Sequence, residues 1–283
     1  MALRVYNNLY STNAQRNLAT NSAALGSSLE KLSSGMRINK AADDAAGLSI
    51  SEGLRSQVRS LNQATRNSND GISLINTAEG ALSEQSSILV RMRELASQAA
   101  TGTVGSTERQ TVDREFQALK SEIDRISAVT EFNGQKLIDG SLSSSSASSV
   151  VIQVGIRATT NDRINLNTAV DLTAITTTGL AIQNTNVLTA ASALASLSNI
   201  DSAISKVTDG RGRLGAVQNR LVHTLANLSV SAENLTAAES QIRDTDYATE
   251  ISSFTKNQIL VQASTSILAQ ANMVPQSVLQ LLG

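Results

Sequence analysis

Residues 200–242 read IDSAISKVTDGRGRLGAVQNRLVHTLANLSVSAENLTAAESQI. Ile200, Val207, Leu214, Leu221, Leu228, Leu235 and Ile242 recur every seven residues without a break. An apolar repeat of that period keeps one stripe of a helix turned toward a partner, so the stretch predicts a sustained coiled-coil seam. The adjacent row holds Ile204, Leu225 and Ala232 but also Arg211 and Gln218, which narrows the stripe in its middle.

A seam of that length needs an equally long partner. Leu54, Leu61, Ile75, Leu82 and Leu89 stand at multiples of seven, with Ser68 and Ala96 in the same register and Val58 and Ile72 on the adjacent row. A second helix is expected to begin near Asp43 and run to about Ala99, roughly 80 Å at 1.5 Å per residue. That exceeds a compact globule and predicts a rod. The two halves must then pair antiparallel to hide their stripes.

Working outward, Leu18, Leu25, Leu29, Leu32 and Met36 form one helical stripe, and Gly35 stands where a helix-ending glycine belongs. RDTDY (243–247) interrupts the C-terminal pattern, and a last helix follows with Phe254, Val261 and Leu268 beside Leu260, Ile267 and Val274. Pro275 is expected to kink or end it. Between the long helices, TGTVGST (101–107) is a turn, and Val112, Phe116, Leu119, Ile123 and Ile126 mark a shorter helix that folds back. Asn133-Gly134 signals a hairpin. SLSSSSASS (141–149) is a low-complexity loop, and Ile152, Val154, Ile156, Ile164 and Leu166 alternate as in a small β-hairpin. Residues 171–190, rich in Thr and Asn, receive no element.

The expected fold class is therefore mainly α, with long antiparallel helical rods formed by the N- and C-terminal halves and a small β-hairpin region in the middle. Residues 1–42 and 243–283 form a discontinuous terminal-helix domain. Residues 43–242 form a rod domain with its β insertion at about 130–185.

Composition narrows the function. The 283 residues include no Cys, no Trp, three Phe and three Tyr, with a net charge of -1. Nucleic-acid binding needs a basic surface to displace counterions, so none is expected. The absence of Cys removes disulfides, zinc thiolates and thiol nucleophiles together. MALRVYNNLYSTNAQ carries no basic region followed by an apolar run, so no cleaved signal peptide is expected. Between Arg4 and Glu30 the only charge is Arg16, and after Lys256 there is none. Six Gln and Asn residues from Gln258 to Gln280 argue against a membrane span, since each amide would need a partner in lipid. Burial among identical copies fits better: symmetry stacks like charges, whereas amides and hydroxyls can bond across copies.

No residue group fits catalysis. Asp43 and Asp44 follow a helix-ending glycine, where first-turn acids complement the helix dipole. As helix neighbours they would point about 100° apart, which suits neither a carboxylate dyad nor a metal clamp. Gly35, Asp43 and Asp44 are read as an inter-domain joint. His223 has Asn219 and Asn227 at i±4 and lacks an orienting acid. RGRLG (211–215) lacks the Lys-Ser/Thr ending of a phosphate loop. NLS (227–229) and NLT (234–236) lie inside a helical pattern, whereas glycan acceptors belong on loops. No enzyme activity, cofactor or metal is expected.

The motifs KLSSGMRINKAADDAAGLSIS (31–51), QATRNSNDGISLINTAEGALSE (63–84), VRMRELASQAATGT (90–103), DRISAVTEFNGQKLIDG (124–140) and RDTDYATEISSFTKNQILVQASTSILAQANMVPQSVLQLLG (243–283) resemble those of bacterial flagellins. The resemblance implies a self-assembling subunit of the extracellular flagellar filament, of the short kind without large outer domains. It implies a polymerisation core on the terminal helices, carried by Leu18, Leu25, Leu29, Leu32, Phe254, Val261, Ile267 and Leu268. Implied partners are copies of the chain, an export chaperone on the C-terminal helix, filament cap and hook-junction proteins, and a host Toll-like receptor. Arg91, Leu95 and Glu115 match the family's receptor-contacting positions. The alternative is a hook–filament junction protein, which shares such terminal helices but would depart from the RELA (93–96) and FNG (132–134) runs.

Overall fold

A computed structural model describes the backbone of residues 7–282 and the side chains of residues 7–274. The chain is mainly α-helical. Helices α1 (Leu9–Ser34), α2 (Ala45–Ala100) and α3 (Ser106–Val129) precede four short strands: β1 (Glu131–Phe132), β2 (Gln135–Lys136), β3 (Val151–Gln153) and β4 (Arg163–Asn165). Then come α4 (Leu166–Val170), α5 (Ala190–Arg243) and α6 (Tyr247–Leu282). At 56 residues, α2 is about 84 Å long. The chain divides into two compact units, Met1–Ser56 with Asn234–Gly283, and Gln57–Glu233.

The Gln57–Glu233 unit is built on the seven-residue stripes. Ile200, Val207, Leu214 and Leu221 of α5 are fully buried, as are Ile75, Leu82 and Leu89 of α2. Phe116 and Ile123 bring α3 into the same core. Ion pairs Arg93–Asp201 and Arg211–Glu79, with the Gln218–Asn76 hydrogen bond, step in opposite directions along α2 and α5, so these helices are antiparallel. Arg109 of α3 donates to the carbonyls of Ala99 and Thr101, satisfying acceptors that the end of α2 leaves free.

Two hairpins cover this core. Asn133 and Gly134 both have positive φ (50° and 78°), the two-residue turn that Asn-Gly favours, and β1 and β2 pair antiparallel around it. In the second hairpin Ile152 pairs with Ile164, both buried. A methyl group on Gly71 of α2 would collide with Ile152 Cδ1, so the glycine lets this hairpin lie close.

The serine loop is ordered by one side chain. Asn167, 3% exposed, donates to the carbonyls of Ser141, Ser143 and Ser148 and accepts the Val150 amide. Residues 171–189, left without an element in the sequence reading, form an irregular strap that buries Leu172, Ile175, Leu180, Ile182 and Val187. Polar residues of α3 grip its backbone. Asp124 accepts from the Thr177 amide and hydroxyl, both at 2.8 Å, and Asp113 accepts the Val187 amide at 2.9 Å. Lys120 Nζ donates to the Gln183 carbonyl at 2.7 Å, and Gln117 to that of Thr185 at 3.2 Å. From inside the core Gln85 donates to the carbonyls of Ile123 and Ile175.

Two expectations change. The second helix starts at Ala45, and no acid lies in its first turn. Asp43 and Asp44 precede the helix because their carboxylates bond locally: Asp43 accepts the amides of Asn39 and Lys40, and Asp44 accepts that of Gly47 at 2.9 Å. At the other end α6 continues past Pro275 to Leu282, so the proline does not end it.

Candidate functional site: the paired terminal helices

Within the Met1–Ser56 and Asn234–Gly283 unit, α1 and α6 pair antiparallel. Asn8 caps α1 by accepting the Ser11 amide, and its Nδ2 donates across to the Ala271 carbonyl at 2.8 Å. Farther along, Asn21 Nδ2 donates to Ser264 Oγ at 2.9 Å, and Asn257 Nδ2 approaches Ser28 Oγ at 3.5 Å. The residues turned inward alternate in steps of four and three: Ala14, Leu18, Asn21, Leu25, Ser28 and Leu32 on α1, and Phe254, Asn257, Val261, Ser264, Leu268 and Ala271 on α6. All are buried or half-buried. The seam is thus a two-helix coiled coil with small and polar layers among the aliphatic ones.

Six of the residues expected at a polymerisation core, Leu18, Leu25, Leu32, Phe254, Val261 and Leu268, lie in this seam within one chain. Leu29 and Ile267 do not, being 57% and 59% exposed. Sequence reading missed further apolar side chains left in solvent on these two helices: Leu9, Tyr10, Ile251, Ile259 and Met273, each more than half exposed. Their signal was the absence of charge, which separates a surface awaiting a partner from an ordinary solvated one.

The breaks at the ends of α1 and α5 are tied together. Gly35, at φ 72°, closes α1 and donates to the Lys31 carbonyl. Arg37 N–H donates to the Arg243 carbonyl at 2.7 Å and Thr245 N–H to that of Gly35 at 3.0 Å, forming a short antiparallel bridge. The Arg243 guanidinium reaches Glu52 at 2.7 Å and Met36 Sδ at 3.1 Å. Asp246 caps α6, accepting the amides of Ala248 and Thr249 and the Thr249 hydroxyl. These bonds hold its carboxyl below the usual carboxylate range, and bonds from Lys40 and Asn39 do the same for Asp43. Gly35, Asp43 and Asp44 all belong to this unit.

In the other unit the structure brings Arg91 and Glu115 together at 2.9 Å on the surface, with Glu94 at 3.0 Å from the same guanidinium. Leu95 does not join them, being 2% exposed in the core. Four residues turn a helix by about 40° beyond a full turn, and here that turn crosses from the outer face to the buried stripe. Among the described residues no helix is long and apolar enough to cross a membrane.

A family model for the bacterial flagellin N-terminal helical region matches residues 5–143, and one for the bacterial flagellin C-terminal helical region matches residues 197–282. A flagellin from Bacillus subtilis (strain 168) is 48% identical over 303 residues, covering 99% of this chain and 100% of its own length. The chain belongs to the bacterial flagellin family. A flagellin from Halalkalibacterium halodurans is 50% identical over 279 residues, covering 98% of this chain and 99% of that protein. The crystal structure of Bacillus cereus flagellin is 35% identical and covers 62% of this chain and 94% of that one, with a TM-score of 0.49. The family regions contain α1, α2, α3 and the first hairpin on one side, and nearly all of α5 with α6 on the other. Flagellins are structural subunits of the bacterial flagellar filament, which stands outside the cell. Residues 144–196, with the second hairpin and the strap, fall outside both family regions.

Proposed function

We propose that this flagellin polymerises with copies of itself through the outward apolar face of the α1–α6 pair, burying Leu29, Ile259, Ile267 and Met273 between subunits. One observation carries the reading: large aliphatic side chains stand in solvent on a helix pair almost free of charge. A face of that kind gains by covering itself, at about 25 cal/mol per Å² of apolar surface. Head-to-tail assembly between unlike surfaces yields an open helical filament where the rotation does not close a ring. On this reading residues 1–42 and 243–283 form the filament's inner domain and residues 43–242 the part outside it. Gly35, Asp43 and Asp44 form the joint, a division supported by the helix breaks at Gly35 and Asp244. Before assembly the face of α6 takes an export chaperone; at the filament ends the subunit meets cap and hook-junction proteins.

The test is seeded polymerisation of the purified chain in ammonium sulfate, read by pelleting and negative-stain electron microscopy. Long uniform tubes are expected, and Ile267→Asp is expected to abolish them. A soluble monomer under all conditions would overturn the reading in favour of a hook–filament junction role.

A second reading is favoured by the exposed Arg91–Glu115 pair. It presents a charged, composite surface from two helices, fit for a host Toll-like receptor, with Leu95 supporting the backbone beneath. Arg91→Ala with Glu115→Ala is expected to lower receptor-reporter response while filaments still form. An unchanged response would discard it.

A further inference from the structure

We infer that two hydrogen-bonded layers, Asn21 with Ser264 and Ser28 with Asn257, are positioning residues that fix the register of α1 against α6. A purely aliphatic seven-residue seam is degenerate: sliding one helix by seven residues restores apolar contact everywhere. Polar layers remove that degeneracy, because an amide bonds only where a partner waits. Here Ser28 is 5% exposed and Ser264 7%, while Asn21 and Asn257 are half-buried, so each layer sets a buried hydroxyl against a partly covered amide. The observed register also sets Ala14 level with Ala271, both buried.

Each slipped alternative loses a layer. Sliding α6 by seven residues one way brings Ser28 to Ser264 but sets Asn21 against Ala271, leaving its amide unpaired. Sliding it the other way brings Asn21 to Asn257 but sets Ser264 against Ala14 and Ser28 against Glu250. The chain moreover uses both orders of the same pair, Asn on α1 with Ser on α6, and Ser on α1 with Asn on α6. That symmetry identifies the hydrogen-bonded pair, not the particular residue, as the element that matters.

The consequence for assembly rests on the filament reading above; the register itself does not. The outward face mixes residues of both helices, Leu29 from α1 with Ile259, Ile267 and Met273 from α6. A slip of seven residues displaces the two halves of that face by about 10 Å. A misregistered subunit therefore presents the right residues in the wrong arrangement.

The test exploits the absence of Cys in the chain. Ala14→Cys with Ala271→Cys reports the observed register as an intrachain disulfide; Leu18→Cys with Val261→Cys reports a slip. Each pair is placed in three backgrounds: the natural layers, aliphatic layers (Asn21→Leu with Ser264→Leu and Ser28→Leu with Asn257→Leu), and swapped layers (Asn21→Ser with Ser264→Asn and Ser28→Asn with Asn257→Ser). After seeded polymerisation and oxidation, pellet and supernatant are mapped by mass spectrometry. The natural and swapped layers are expected to give only the 14–271 bridge and to assemble at equal rates. The aliphatic layers are expected to give the 18–261 bridge as well and to assemble at least ten-fold more slowly, with helicity undiminished. Aliphatic layers showing only the 14–271 bridge, or swapped layers that behave like the aliphatic ones, would overturn the inference. If the natural chain forms no polymer at all, the filament reading fails, and the bridges in the soluble fraction still decide the register.

Discussion

Asp44 accepts the amide of Gly47 at 2.9 Å, and Gly47 has no room for a side chain beneath that carboxylate. A Cβ there would meet the Asp44 carboxylate and lie 2.7 Å from Ile38 Cδ1, itself 1% exposed. Glycine inside a helix ordinarily costs about 1 kcal/mol against alanine. Overpacking of this kind costs about 1–3 kcal/mol, so it outweighs the gain in propensity. Gly47→Ala is expected to lower stability by about 1 kcal/mol, and Asp44→Ala, which removes the cap, by a similar amount. Denaturant midpoints followed by far-UV circular dichroism check both; a stabilised Gly47→Ala would show that the cap yields freely.

The serine loop depends on Asn167. Removing its amide strands the carbonyls of Ser141 and Ser148 and the amide of Val150 at once, and leaves the Ser143 carbonyl with the Ser146 amide. Each buried group left unpaired costs about 1–3 kcal/mol, less where water reaches in. Asn167→Ala is expected to cost about 2–3 kcal/mol on that scale. Hydrogen exchange should accelerate at the Ser144 and Val150 amides while the middle of α2 stays protected.

Acid should fray α6 from its first turn. Bonds to Thr249 and Ala248 lower the Asp246 carboxyl from its ordinary 3.8. A carboxyl lowered by folding contributes stability that is fully present above its unfolded value and is lost as pH falls through the folded one. Asp43 is lowered in the same sense by the amides of Lys40 and Asn39. Below about pH 4, in the range of unperturbed carboxyls, helicity around residues 247–250 should decline, and Asp246→Asn should flatten that decline. An identical titration in both proteins would remove Asp246 as the acid-sensitive cap.

Arg91 and Leu95 should separate cleanly under mutation. The Arg91–Glu115 pair is about half exposed on both sides, so Arg91→Ala should leave stability nearly unchanged. Leu95→Ala empties part of a core and should cost about 2–5 kcal/mol. Thermal melts of the two variants, measured beside receptor assays, tell a lost contact from a lost fold.

The legibility of the chain follows the same physics. The stripe from Ile200 to Leu228 announced its burial because a seven-residue repeat has one meaning on a helix. Asn133-Gly134 announced its turn because few pairs tolerate two positive φ angles. The strap at 171–189 announced nothing: Leu172, Ile175, Leu180, Ile182 and Val187 follow no period, since its backbone bonds to side chains of α3, to the carbonyls of Ile138 and Leu142 and in short local turns, with no ladder of its own. Asp113, Gln117, Lys120 and Asp124 do share one face of α3, which marks a polar grip, but only once its occupant is known. In the terminal pair the stripe was readable, whereas the split between the half of the apolar residues that the partner helix covers and the half left outside was not. That split depends on register, which single-helix periodicity does not contain.

Asn21 and Ser264 are 243 positions apart along the chain. Contacts of such separation form late, because the intervening chain must be drawn together first. During synthesis α1 emerges before its partner α6. The earlier of the two segments therefore waits, with its inward stripe uncovered, until the later one is made.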